Sequence, residues 1–505
     1  MSSNGASFDV AIVGYGPVGA ALAGLLGRRG LSVAVFDREV DVFPLPRAAH
    51  IDHQGLRCLQ ELGCLDEVLP SMRLNAGMDF VTKDLEVLMR VPGSSSSRSG
   101  LPASMYFHQP GFDRAIRTAV EQQPSVTTFL GCEVTGLEQG SDGVTLVAVD
   151  RDRVDHRVTA SWVVGCDGAR STVRPLVEIG LDDLGFDEDW LVVDTVLSRP
   201  VAALPDRALQ VCDPARPHTV LPMPGQRYRF ELMLLPGENP AAMQGDAVVK
   251  QLLARWLSPD MIEVERQAVY RFHGLVARSW RSGRVLLAGD AAHQMPPFLG
   301  QGMCSGLRDA TNLAWKLDHV LRRGGPESLV DSYEIERKPH VRSIIEAAVS
   351  FGRIICVLDQ HEAAERDRVM LADPTPPESR RPFALPHLTP GRLVLDNGGE
   401  LFVQPEPVRS EARFDDLIGQ RFLVLGRTVA ALGDTGPWWA NRIGALVTTL
   451  ADVPDPDGSL QRWFDDHAAD VVVVRPDRYV LAAGGSLDSI TDAVRPQLLE
   501  ESSPG

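Results

Sequence analysis

Cysteine is sparse in this chain and scattered. The seven residues, at 58, 64, 132, 166, 212, 304 and 356, never fall in Cys-x-x-Cys spacing. That removes zinc-ribbon and dithiol-redox readings and fits free thiols in a reducing compartment. Positive charge is short as well: 50 Lys and Arg stand against 67 Asp and Glu, a net charge of -17. Such a surface repels phosphate backbones and anionic lipid, so neither nucleic acid nor a membrane is an expected partner. The first residues, MSSNGASFD, lack the basic start and apolar core of a secretory leader. The apolar run from Val10 to Leu26 is broken by Gly14, Gly16, Pro17 and Gly19. It reads as strand, turn and helix rather than a membrane span, and the cytoplasm is the expected location.

What is present is ordinary globular composition, 44% hydrophobic and 23% charged over 505 residues, with room for two or three domains. FDVAIV (8–13) is a short apolar run suited to a buried parallel strand. A glycine-rich turn, an Ala- and Leu-rich helix to about Arg29 and a second strand, LSVAVFD (31–37), complete a β-α-β unit. In the turn, Gly14-x-Gly16-x-x-Gly19 has the spacing that lets a chain bend, approach a pyrophosphate and pack helix on strand. The helix start offers unpaired amides to phosphate. Asp37, 23 positions after Gly14, ends the next strand, where a carboxylate can accept ribose hydroxyls. The pattern points to a nucleotide and does not tell FAD from NAD.

Two further fingerprints lie downstream. Gly165-Cys166-Asp167-Gly168-Ala169-Arg170-Ser171-x-x-Arg174 is, on its own, more simply a β-turn leading into a capped helix. Gly289-Asp290-Ala291-Ala292-His293, then Pro296-Pro297 and Gly300-Gln301-Gly302-Met303, ends a strand, RVLLAG. It reads as a proline turn and helix cap, or as a site where Asp290 meets a sugar hydroxyl and backbone amides face an electron-rich ring. His293 has no partner triad in the sequence and reads as structural.

Between these motifs, WLVVDTVL, HTVLPM and YRFELMLL within 190–235 alternate with period two, as in a mainly antiparallel sheet. Helices are expected over about 309–322 and 326–355. GSSSSRSG (93–100) reads as a flexible surface loop, and residues 371–391, with six prolines, as a linker. RFLVLG, ADVVVVRP and YVLAAGG beyond it define a small α/β unit.

The three fingerprints in this order resemble the group A FAD-dependent aromatic hydroxylases, the para-hydroxybenzoate hydroxylase superfamily. PRAAHID (46–52), FHQPGFDRAI (107–116), DPARP (213–217) and GQGMCSGLRDATNLAWKL (300–317) look like its 3-(3-hydroxyphenyl)propionate hydroxylase and phenol hydroxylase branch. The likeness is strong over about 8–350 and weaker beyond. It implies an α/β (α+β) architecture: a Rossmann-type FAD-binding domain (1–80, 100–180 and 275–350) interleaved with a mainly antiparallel-sheet substrate domain (81–99 and 181–274), a helix end and linker (351–391), and a thioredoxin-like C-terminal domain (392–505).

By the same resemblance, Gly14, Gly16 and Gly19 pack on the FAD pyrophosphate, Asp37 holds the adenosine ribose with Arg38 beside it, and Val134 meets the adenine. Arg47 and Gln109 approach the phosphates and ribityl chain, and Asp167 lies near the pyrophosphate. Asp290 binds a ribityl hydroxyl, and Pro297, Gly302 and Met303 line the isoalloxazine. Cys304 stands where many relatives carry Asn, and Arg478 where the Arg-Pro-Asp motif usually has Gly, a local surface change.

The reaction implied is a monooxygenation. A transient NADH or NADPH reduces FAD, O₂ adds at flavin C4a, and the hydroperoxide hydroxylates an activated phenol, either 3-hydroxyphenylpropionate-like or a polycyclic or heteroaromatic phenol. Only one dinucleotide fingerprint is present, which agrees with a visiting nicotinamide. Arg216, Tyr270 and His273, with His218, are candidates to orient or deprotonate the phenol, although basic and aromatic residues on a sheet face commonly only pack. No metal is expected, and the chain is a monomer or homodimer. The rival readings are an FAD oxidase or dehydrogenase of a small aromatic molecule, and a redox-silent binding protein on the same fold. A flavin halogenase is excluded because Trp438-Trp439 does not match its Trp-x-Trp-x-Ile-Pro motif.

Overall fold

Val10–Val13 and Val33–Phe36 are buried on both faces, and a strand with no polar face needs cover above and below. They sit in a parallel sheet ordered Val285–Leu287, Asp155–Gly165, Ala6–Val13, Val33–Asp37 and Val126–Leu130. The computed structural model describes residues 5–380, 384–395, 397–407 and 412–499, so residues 381–383 of the proline-rich linker lie outside it. The Pro17–Arg28 helix, begun by a proline whose missing N–H costs nothing there, packs on this sheet and against the helix Gly302–Arg322. An antiparallel pair, Cys132–Gln139 and Val144–Asp150, extends from Asp155–Gly165.

The second sheet runs His293–Gln294, Ile262–Ala277, Leu181–Leu197, Arg227–Met233, His218–Pro222, Ala208–Val211, Gly77–Val81 and Val87–Pro92. It is antiparallel except where Ala208–Val211 runs parallel to Gly77–Val81. One face, with Leu191, Val193, Phe230 and Leu232, closes over Val249 and Leu253 of the helix Asp246–Leu253. The other face turns toward the parallel-sheet domain.

The C-terminal unit is a mixed sheet ordered Leu446–Thr449, Leu423–Gly426, Val471–Val474 and Val480–Gly484, with one parallel pair followed by two antiparallel ones. With its flanking helices this is a thioredoxin-like arrangement. Its core is not self-contained, because Trp315 of the Gly302–Arg322 helix packs among Phe422, Trp439 and Val494. Two expectations are corrected in this region. The Gly93–Gly100 segment is docked rather than free: Arg98 pairs with Glu400 at 2.9 Å, and the Gln404 side chain donates to the Ser99 carbonyl at 2.7 Å. Arg478 is buried, not a surface change. It holds φ 68°, the left-handed backbone that glycine adopts freely, and its guanidinium lies 3.3 Å from Asp415.

Candidate active site

The three fingerprints sit side by side at the carboxyl ends of neighbouring parallel strands, where α/β sheets place their ligands. At the first, Gly14 has φ 101°, and a Cβ there would strike the Cys166 carbonyl; one on Gly19 would strike the Gly14 carbonyl. Around Gly16 nothing lies within 4 Å of such an atom, which leaves the helix start open to a bulky anion. Asp37 accepts from the Tyr15 and Glu39 amides at 2.7 and 2.9 Å. Arg117, which sequence reasoning missed, lies 3.9 Å from Asp37, over the Tyr15 ring, and donates to the Tyr15 carbonyl. Its signal was the i,i+4 spacing from Asp113 along one helix. Arg38 points out to solvent beside Glu39. Val134 is buried in Cys132–Gln139, next to a shift in strand register.

The Gln109 side-chain oxygen accepts from the Arg47 and Ala48 amides at 2.8 and 2.6 Å, so its amide shapes the Arg47 loop. Its nitrogen donates to Asp113, whose carboxyl burial raises to about 6. Arg47 lies over the Phe43 ring.

Asp167 caps the following turn by accepting from the Thr172 and Val173 amides, and its other oxygen is buried without a partner among the described residues. Arg174 donates to the Ala291 carbonyl at 2.9 Å and so ties the second fingerprint to the third. Asp290 is surface-accessible yet surrounded by protein, and burial raises its carboxyl above the usual range. His293 is buried and meets Asp309 at 2.7 Å, and Asp309 also takes the Gly289 amide and the Arg337 guanidinium.

Pro297–Leu299 forms a tight turn, and Gly302 and Met303 open the long helix with amides that have no partner inside it. Gly300, at φ 62°, takes a hydrogen bond on its carbonyl from His50 Nδ1 at 3.1 Å. A carbonyl only accepts, so the proton is on Nδ1 and Nε2 carries a lone pair. Burial pushes the His50 ring below its ordinary value and keeps it neutral. Cys304 donates weakly to the His50 and Gly300 carbonyls.

Of the residues expected to meet substrate, Tyr270 is on the sheet face toward this turn, with Arg266 over its ring. The others are engaged elsewhere. Arg216 is paired with Glu238 at 2.5 Å and bound to the Met233 carbonyl. His218 bonds the Arg216 carbonyl and Trp256, and His273 is partly exposed beside Asp187 at 3.2 Å. The face instead carries a cluster that sequence reasoning missed: Asp194 between Arg229 at 2.7 Å and Arg266 at 3.3 Å, with Glu231 one step along. Arg229 and Arg266 also donate to the Arg47 and Pro46 carbonyls and clamp that loop. The period-two charges of Arg227-Tyr-Arg229-Phe-Glu231 were the signal.

The open helix start at Gly16, the orphaned Asp167 oxygen and the recessed Asp290 suit a long ligand with a diphosphate and polyol chain, as FAD has. The FAD binding domain family model matches residues 7–348, and the HcaD C-terminal domain model residues 399–497. A Rhodococcus jostii (strain RHA1) protein named "Probable NADH-specific resorcinol 4-hydroxylase" is 38% identical over 486 residues, 94% of this chain and 91% of that one. The 3-(3-hydroxy-phenyl)propionate/3-hydroxycinnamic acid hydroxylase of Klebsiella pneumoniae (strain 342) is 32% identical, with 94% and 91% covered. The fold matches the flavin-dependent monooxygenase PieE solved with FAD and substrate, at TM-score 0.82, 22% identity and coverage of 98% and 99%. It also matches aklavinone-11 hydroxylase, at TM-score 0.80, 20% identity and coverage of 99% and 100%.

The chain belongs to the FAD-dependent aromatic hydroxylases of the para-hydroxybenzoate hydroxylase superfamily, and FAD is its cofactor. Within that superfamily its branch is that of the resorcinol and 3-(3-hydroxyphenyl)propionate hydroxylases.

Proposed function

We propose that this enzyme hydroxylates a small phenol with NADH and O₂, releasing NAD⁺, water and a dihydroxylated or trihydroxylated ring. Bound FAD supplies the redox chemistry and the oxygen transfer. The observation that carries the reading is the convergence of Gly14–Gly19, Asp167, Asp290 and the Pro297–Met303 turn at one sheet edge, beneath a polar face of the second sheet. Gly14, Gly16 and Gly19 take the pyrophosphate, Asp37 with Arg117 the ribose end, and Asp290 the ribityl chain. Val134 meets the adenine, and Pro297, Gly302 and Met303 border the flavin ring. Arg47 and Gln109 shape the loop over the phosphates.

His50 receives the phenol proton on Nε2. Fixed by Gly300 and kept neutral by burial, it makes the ring electron-rich at the moment of attack. Arg216 and His273 hold the sheet together through Glu238 and Asp187, and Tyr270 covers the ring site.

Purified enzyme given NADH and a panel of phenols is expected to consume O₂ and yield hydroxylated product. His50→Gln should keep its FAD and lower phenol-stimulated turnover by about 10²–10⁴-fold. Peroxide as the sole product from every phenol would make it an oxidase and overturn the reading.

A further inference from the structure

The C-terminal unit reaches the flavin turn through one hydroxyl. Tyr479 follows a tight turn closed by the Arg478 amide on the Arg475 carbonyl, and leads into the strand Val480–Gly484. Its own carbonyl accepts from the Arg475 amide at 2.9 Å, its backbone bridges Leu401, and its buried ring packs with Leu388, Val394 and Leu401. Backbone and ring thus belong to the C-terminal side of the molecule. The hydroxyl crosses to the other side. Burial raises it above the usual tyrosine value, so it stays protonated, and it donates to Gln54 Oε1 at 2.9 Å.

Gln54 lies in the first turn of the helix His53–Leu62, which Asp52 caps. The same Oε1 accepts from Arg308 Nε at 2.6 Å. Arg308, buried on the helix Gly302–Arg322, donates through Nη2 to Gln301 Oε1 at 2.9 Å and to the Asp52 carboxylate. Both end points adjoin the pair described above. Gln301 follows Gly300, and Asp52 stands two residues after His50, whose Nδ1 donates to the Gly300 carbonyl. Arg308 Nη1 is buried with no partner among the described residues. The guanidinium is therefore held along one edge, by Nε on Gln54 and by Nη2 on Gln301 and Asp52. A planar fork keeps its direction only while both bonds of that edge are made.

We propose that Tyr479 is a positioning residue for the active site: by fixing Gln54 it aims the Arg308 fork, and so sets the Gly300–Met303 turn and His50 against the flavin. The part that concerns His50 rests on the hydroxylase reading.

Packing alone would be served by phenylalanine, which leaves no hydroxyl to bury. An amide oxygen accepts two hydrogen bonds, and Gln54 Oε1 takes one from each side of the domain boundary. Without the Tyr479 bond, Gln54 is free to turn and Arg308 Nε loses its acceptor. The unused Nη1 then offers the guanidinium a second orientation, one that lets go of Gln301. A reacting group misplaced by about 1 Å can lose about 10²-fold in rate, so a small shift of this turn is enough to spoil oxygen transfer.

The test compares FAD-loaded Tyr479→Phe, Gln54→Leu and the double variant with wild type. Thr491→Val is the control: it removes the acceptor of the Trp439 indole at 2.8 Å and loosens the C-terminal unit without touching these bonds. Tyr479→Phe should keep its FAD and alter the visible circular dichroism of the bound flavin. With NADH and the phenol that wild type hydroxylates fastest, its ratio of hydroxylated product to peroxide should fall by about 3–10-fold, the size of one hydrogen bond. Gln54→Leu should do the same, and the double variant should be no worse than Gln54→Leu, because the two side chains act in series. Thr491→Val should melt earlier with dichroism and product ratio unchanged. The dichroism reads the flavin's surroundings whether or not a phenol is hydroxylated. Wild type that makes only peroxide would therefore count against the hydroxylase reading and leave this comparison standing. Unchanged dichroism in Tyr479→Phe, the same change in Thr491→Val, or losses that add in the double variant would overturn the proposal.

Discussion

Asp113 shows what burial does to one side chain in this site. Its carboxyl rises from 3.8 to about 6 because burial outweighs the Gln109 hydrogen bond and the nearby Arg47 and Arg117. A raised folded-state value means the neutral acid suits the fold. Its contribution is complete below about pH 4 and lost as pH climbs through 6. At roughly 1.4 kcal/mol per pH unit, the cost at neutral pH is about 3 kcal/mol. Asp113→Asn, still able to accept from Gln109, should therefore gain on wild type between pH 4 and 8 in urea titrations. A stability difference that stays flat over that range would show that Asp113 ionises freely. At this scale the sequence was half legible. Gly14, Gly16 and Gly19 announce themselves because their spacing is dictated by backbone geometry. Glu231 and Arg229 do not, because a charged residue in a strand points to solvent or to a site depending on what covers the sheet.

Among the elements, the Gly302–Arg322 helix is the pivot. Its Gly306 lies so close to Val18 that an added Cβ would collide with that side chain, and would stand 3.2 Å from the Gly289 Cα. One position thus sets the spacing between this helix, the first fingerprint's helix and the third fingerprint. Gly306→Val should cost about 1–3 kcal/mol through overpacking and release FAD on dialysis. Full flavin retention at unchanged stability would show that the contact is slack. The sequence placed the start of this helix near Asp309, seven residues late, because Gly302 and Gly306 look like turn residues. Both are helical here, and at Gly306 the Val18 side chain approaches too closely for a side chain to fit. The strand motifs around it were legible from period and apolarity, whereas which loops would meet was not, since that depends on strand order.

Over the whole molecule, the C-terminal unit is joined to the rest by buried charge. Arg475 donates to Glu336 at 2.8 Å and to Asp477, Lys316 meets Glu336 at 2.8 Å, and Asn312 bridges both acids. Burial alone would raise Glu336, but Arg475 and Lys316 win and hold its carboxyl at about 2. Removing one member of such a set strands the others, typically at about 3–5 kcal/mol. Arg475→Met should split the calorimetric unfolding into two transitions, the C-terminal unit melting first. A single, unshifted endotherm would mean that apolar packing alone unites the two units. Among the described residues no helix is long and apolar enough to cross a membrane.

The shared indole of Trp315 has a practical corollary for anyone wanting a smaller catalyst. Cutting the chain at its proline-rich stretch would lay bare Trp315, on the Gly302–Arg322 helix, and Leu329, in the short turn Glu327–Leu329 that follows it, both packed into the distal core. Such a truncate would present a greasy stripe to water and tend to clump. Miniaturisation here calls for repainting that helix with polar side chains before the tail is discarded.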